Sequence, residues 1–306
     1  MAKISFTRSK DTAIENIKGY LTVSLALALV AALLRSMAYI FSFDADIGYF
    51  NGSFFSKIAT YFIIVSCAFA LTGFVFISKD ATLPRKLTNE GNSIYFASVF
   101  AGFIMIADFA YKLYLMIGEE KFSYYKFIFA PAFKSENSYI IRATAVIEIA
   151  GVIASILAAV CFFLRSSKRF DSKLCAWLGF FPIIRALTGV AQIYFEMEVQ
   201  MNHPSKLMLE FALISLMIAF LYELRFFISE DHARPRNFVV LSCVALIIAI
   251  SAGISEMMGF FVGKISKGDF CIEAFFCLAM GLYGVARTVS YVKSLEEKAP
   301  EQVIEE

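Results

Sequence analysis

Arg185, Thr188, Gln192 and Glu196 follow one another at intervals of three or four residues through an otherwise apolar stretch. That spacing draws a single polar stripe along one face of a helix. A guanidinium, a hydroxyl, an amide and a carboxylate on one face can clamp an anionic group, hold a cation or pass a proton. Pro182, one turn before Arg185, is placed to kink or open the helix there. Ser24, Arg35, Ser42 and Asp46 trace a sparser stripe of the same kind.

Further charges lie inside other apolar runs: Asp108 and Lys112, Arg142 and Glu148, then Glu210, Glu256 and Glu273. A charge at bilayer depth costs about 2.5–3.5 kcal/mol on insertion scales, so it faces the protein interior or a wet cavity. Three readings follow. The charges are inter-helix ion pairs, as the i,i+4 spacing of Asp108 and Lys112 suggests. Or they line a polar cavity for a small solute, the expectation for Arg35, Arg185 and Glu256, which sit deepest. Or the outermost, Arg142, Glu210 and Glu273, snorkel to the headgroups. The candidate ligand-binding set is Arg35, Asp108, Glu148, Arg185, Gln192, Glu196, Glu256 and Glu273. The arginines would take anionic groups, and the carboxylates would take cations or protons.

These residues need helices to hold them, and composition says where the helices lie. The chain is 59% hydrophobic with a mean hydropathy of +0.69, well beyond a soluble domain. A spanning helix needs about 20 mostly apolar residues. Eight segments qualify, near 20–41, 55–77, 94–117, 139–164, 174–195, 206–228, 238–262 and 270–291. The expected fold is therefore an all-α polytopic membrane bundle. The first span follows a basic N-terminus, but its apolar run continues to Phe43, which is too long for a cleaved signal core. Outside the embedded charges, seventeen Lys and Arg lie on the side of the termini and seven on the other. The positive-inside rule then puts both termini in the cytoplasm of a cell-membrane protein.

The polar hinge ISKDATLPRK at Ile77–Lys86 returns as ISEDHARPRN at Ile228–Asn237. Aligning Asn51–Lys86 with Asn202–Asn237 gives ten identities in thirty-six positions without a gap. Ala101-Gly102 matches Ala252-Gly253, Arg35 falls on Arg185, and Asp46 falls on Glu196. The fourth helices carry Glu148 and Glu273, and the third helices Asp108 and Glu256. The expected organisation is a polar segment 1–18, a four-helix repeat over 19–169, a second over 170–293, and a polar tail 294–306. Four spans per unit gives both repeats one orientation. The first repeat holds an outer insertion at 118–138, aromatic and basic, which suits an interfacial cap.

Other signals exclude more than they suggest. A net charge of +2 is no nucleic-acid signature. Six cysteines form no C-x-x-C pair, and two histidines in loops, His203 and His232, exclude paired haem ligation and a histidine-based triad. No metal site or cofactor is expected. FDADIGYFNGS lacks the glycine and glutamate spacing of a calcium loop. Gly259 and Gly263 read as a helix-packing G-x-x-x-G face, and Glu223 and Arg225 as a solvated rim. The expected partners are the lipid bilayer and a small polar or ionic solute. The alternative is a sensor or assembly subunit whose charges pair with a membrane partner or with further copies of the chain.

Overall fold

The computed structural model describes residues 2–77, 83, 85, 87, 92–130, 138–167, 172–196, 200, 202–265 and 268–301. The element order is α1 (Ala2–Ser42), a short hairpin of β1 (Phe43–Asp44) and β2 (Tyr49–Phe50), and α2 (Phe54–Phe76). Then come α3 (Asn92–Ile117), α4 (Glu119–Ile128), α5 (Ser138–Ser166), α6 (Ser172–Leu178) and α7 (Phe180–Phe195). The chain closes with α8 (Pro204–Ile228), α9 (Pro235–Phe261) and α10 (Gly268–Glu301). Eight helical stretches are long and apolar enough to cross a membrane, α6 and α7 together forming one of them, and each overlaps a span expected from sequence. Large apolar side chains such as Leu33, Val75, Phe76, Trp177 and Phe211 face outward. In water that surface would be unfavourable; in lipid it is the expected exterior. The chain is a multi-pass membrane bundle.

The polar ends of the sequence are helical extensions. Residues 2–18 continue α1, and α10 runs on to Glu301; residues 302–306 lie outside the described residues. Much of the first hinge, Ser78–Thr82 with Pro84 and Lys86, also lies outside them. In the second hinge the His232 N–H closes a turn on the Ser229 carbonyl at 3.1 Å, and Pro235 opens α9. Proline suits that position because its missing N–H would have no helical partner.

Helix ends follow from local chemistry. The fifth span breaks at Gly179, one turn before Pro182. Proline has no N–H for the Leu178 carbonyl, and its ring crowds that carbonyl, so α6 stops there. Gly263 adopts a left-handed φ of 72° just past α9, and the Lys264 N–H reaches back to the Gly259 carbonyl at 2.9 Å. Gly263 thus terminates the helix, with open space around it, and does not pack as half of a G-x-x-x-G face. Gly259 alone packs, against Ile265 and Tyr39.

α9 is the hub, with 78% of its spanning window buried against 22% for α2. It packs on α1, α2, α8 and α10. Small residues allow this: a side-chain carbon on Gly253 would meet Leu278 Cβ at 2.6 Å and the Ala274 carbonyl at 2.9 Å. In membranes such close approach supplies the packing that lipid-like apolar surface cannot. The matching Gly102 on α3 is crowded in the same way by Phe163 of α5.

Candidate functional site

Arg185 on α7 is fully buried. Its Nε and Nη2 hold both oxygens of Asp108 on α3, at 2.7 and 2.8 Å, and Nη2 also donates to Glu273 Oε1 on α10 at 2.7 Å. The planar guanidinium suits this fork–fork geometry. It stacks over Phe276, 4.6 Å from the ring centroid. Ser155 of α5 donates to Asp108 Oδ2 as well. Lys112, one turn after Asp108, sits 3.4 Å from Asp108 and 3.4 Å from Glu273. Two cations and two carboxylates from α3, α7 and α10 thus form one closed network.

A cavity of about 180 Å³ lies against this network. Lys112, Glu148, Gln192, Glu196 and Glu273 line it, with Tyr111, Phe195 and Phe270 as aromatic wall. It occupies the end of the bundle where α3, α7 and α9 finish and α5, α8 and α10 begin. Glu148, Gln192 and Glu196 are half-buried, so the cavity reaches the surface. The volume holds the equivalent of about six waters at liquid density, the scale of a small solute. Four of the eight sequence candidates therefore meet at one place, and Arg185 and Asp108 form the buried layer behind them.

Arg35 and Glu256 do not join them. Arg35 Nη2 donates to Glu256 Oε1 at 3.0 Å and to the Pro204 carbonyl at 3.0 Å, and the Tyr39 hydroxyl lies 2.7 Å from each Glu256 oxygen. Ser205 completes the set, 2.9 Å from Tyr39 Oη. Aromatic rings close over the pair: Arg35 stacks on Phe50 of the hairpin, Phe50 meets Phe43, and Phe43 meets His203. The expectation of a shared cavity fails for these two residues. The hairpin between α1 and α2, a short loop in the sequence, fills the space that a cavity would need.

Several charges are placed differently from their sequence reading. Glu273 does not snorkel; it is 5% exposed and bonded to Arg185 and Lys112. Arg142 turns inward to donate to the Ile128 carbonyl at 2.9 Å, capping α4 within the outer insertion. Tyr125 of α4 donates to Glu148, tying that cap to the cavity wall. Lys206 is buried and donates to the carbonyls of Tyr194 and Glu196 at 3.0 and 2.9 Å, capping α7.

A third network was hidden at the opposite end. Glu223 is 2% exposed, accepting from Arg165 at 3.0 Å, Arg287 at 2.8 Å and Tyr283 Oη at 2.6 Å. The solvated-rim reading of Glu223 is thereby corrected. Tyr283 and Arg287 share one face of α10, and that i,i+4 aromatic–basic pair was the available signal. Among the described residues no group of three His, Cys, Asp or Glu side chains is arranged to hold a metal ion.

Comparison with known protein families, curated proteins and solved structures finds no match to the chain. Function has to be argued from the site itself.

Proposed function

We propose that the protein binds a small polar or ionic solute in the cavity between α3, α5, α7 and α10, and moves it across the cell membrane. One observation carries the reading: Lys112, Glu148, Gln192, Glu196 and Glu273, from four helices, line one cavity backed by buried ion pairs. Structural glue does not need an open cavity, and membrane hydrogen bonds contribute only about 0.6 kcal/mol on average.

Orientation and duplication belong to the same proposal. Setting aside the buried Arg165, Arg287 and Lys206, fifteen basic residues remain on the side of the termini against six on the other. That favours cytoplasmic termini and a cavity open to the outside. Two tandem units, 19–169 and 170–293, are favoured by reciprocity. Arg35 of the first span pairs with Glu256 of the seventh, and Arg185 of the fifth pairs with Asp108 of the third. Gly102 and Gly253 each pack closely on the following span.

The test is a thermal-shift screen of small polar solutes on purified protein in detergent, with Gln192→Leu alongside, then uptake of any hit into proteoliposomes. Expected is a solute class that raises Tm in the wild type, loses that effect in Gln192→Leu, and accumulates inside vesicles. A hit that binds without uptake would leave a sensor. No hit, with a membrane protein co-purifying in stoichiometric amount, would establish the assembly-subunit alternative.

A further inference from the structure

We infer that the cavity takes a small organic cation bearing an ammonium group, and that Lys112 is a tethered competitor for the same carboxylate. This rests on the cavity being a solute site and adds the charge and chemistry of its occupant.

The lining residues carry three carboxylates, Glu148, Glu196 and Glu273, against one base, Lys112. The network's other cation, Arg185, is fully buried and does not line the cavity; it is committed to Asp108 and to Glu273 Oε1. Glu273 divides its two oxygens unequally. Oε1 receives both Arg185 and Lys112, while Oε2 is buried beside Gly189 of α7 and accepts no hydrogen bond among the described residues. Oε1, the oxygen that Lys112 reaches, is therefore the one an incoming cation must contest. Lys112 holds Glu273 at 3.4 Å, longer than the 2.7–2.9 Å usual for an ammonium–carboxylate hydrogen bond. It satisfies the charge of Glu273 without saturating its hydrogen bonding. An incoming ammonium can take a shorter bond to Glu273, and Lys112, its side chain 12% exposed at the cavity wall, can swing toward water on its flexible stem. Tyr111, Phe195 and Phe270 add aromatic surface to the lining, which a cation can use.

The probes are straight-chain alkylammonium ions from methyl to pentyl, together with the carboxylates of the same length. Saturable Tm shifts on the full chain in detergent measure apparent affinity. Expected is binding of one or more ammonium ions and of no carboxylate. Affinity should rise about tenfold in Lys112→Met, one competing charge removed, and stay near the wild-type value in Lys112→Arg. It should fall at least about tenfold in Glu273→Gln. Circular dichroism on each variant separates lost binding from lost folding, and Gln192→Leu tests the cavity without altering charge. Carboxylates binding instead, in a Gln192→Leu-sensitive way, would overturn the cation assignment and leave the cavity a solute site. Ammonium binding indifferent to Lys112→Met would overturn the competitor role. Absence of any Gln192→Leu-sensitive binding would overturn both the inference and the cavity reading.

Discussion

The two arginines that correspond in the sequence alignment, Arg35 and Arg185, end in opposite surroundings. Each meets a carboxylate from another span at the same end of the bundle. Around Arg35 the chain turns back as a hairpin, and Phe43, Phe50 and His203 shut the pair away. Around Arg185, itself covered by Phe276, no such plug is found among the described residues. The α4 cap meets the cavity wall through Tyr125 and Glu148, and Glu273 and Lys112 carry the network out to the cavity. The difference teaches that an embedded ion pair is not in itself a site. The aromatic residues beside it decide whether solvent and solute can reach it.

The largest effect should come from removing Arg185. Arg185→Met leaves Asp108 with the Ser155 hydroxyl and a longer contact to Lys112, and leaves Glu273 with Lys112 alone. Loss of one partner from a buried pair costs about 3–5 kcal/mol, and here two carboxylates lose it. Arg35→Met strands one carboxylate, which keeps the Tyr39 hydroxyl, so it should fall at or below the lower end of that range. Thermal unfolding in detergent compares them; a larger loss for Arg35→Met would reverse the comparison.

Removing both partners should separate the two networks again. Arg35→Met with Glu256→Leu replaces a sealed pair by apolar side chains, a change that is often neutral or stabilising by about 1–4 kcal/mol. Tyr39 loses an acceptor but keeps Ser205. Arg185→Met with Asp108→Leu leaves Lys112 and Glu273 facing the cavity, and Ser155 without its carboxylate. Recovery there should be partial. Equal recovery in both double variants would mean that the cavity contributes nothing to the difference.

A smaller change should turn the sealed pair toward the open kind. Phe50 is half-buried and covers Arg35. Phe50→Ala should cost about 2 kcal/mol, below the range for a fully buried phenylalanine. The diagnostic is salt. Water reaching Arg35 and Glu256 would let ions screen them, so the variant's Tm should fall with added salt more than the wild type's does.

What the sequence made legible follows the same division. Apolar runs of about 20 residues gave all eight spans, because bilayer thickness sets that length. The stripe on the fifth span located Gln192 and Glu196, because helical period is visible along one chain. Partner choice was less visible. Glu223, Arg165 and Arg287 lie near span ends, where the positive-inside pattern makes a charge read as solvated, and only the packing of α5, α8 and α10 shows them buried. The hairpin's role was hidden for a related reason. FDADIGYF has the composition of a loop, and nothing local says that its Phe50 closes over Arg35.

The weakest lever on the seal is its histidine. His203 caps α8, its Nδ1 accepting the Ser205 N–H at 3.2 Å, and its ring lies against Phe43. Burial holds its pKa below the ordinary value of 6.5, opposed by Glu256 and reinforced by Arg35 and Lys206. The unfolded chain therefore takes up this proton at a higher pH than the folded one. Between the ordinary value and the depressed one the unfolded state binds more protons, so His203 makes stability fall as pH drops through that window. Protonation also removes the Nδ1 lone pair that caps the helix. Asparagine caps without titrating, so His203→Asn should keep the cap and lose that part of the pH slope. The expected Tm difference is smaller than any above, and it should appear only below about pH 6.5. A slope unchanged in His203→Asn would show that His203 does not set the pH dependence.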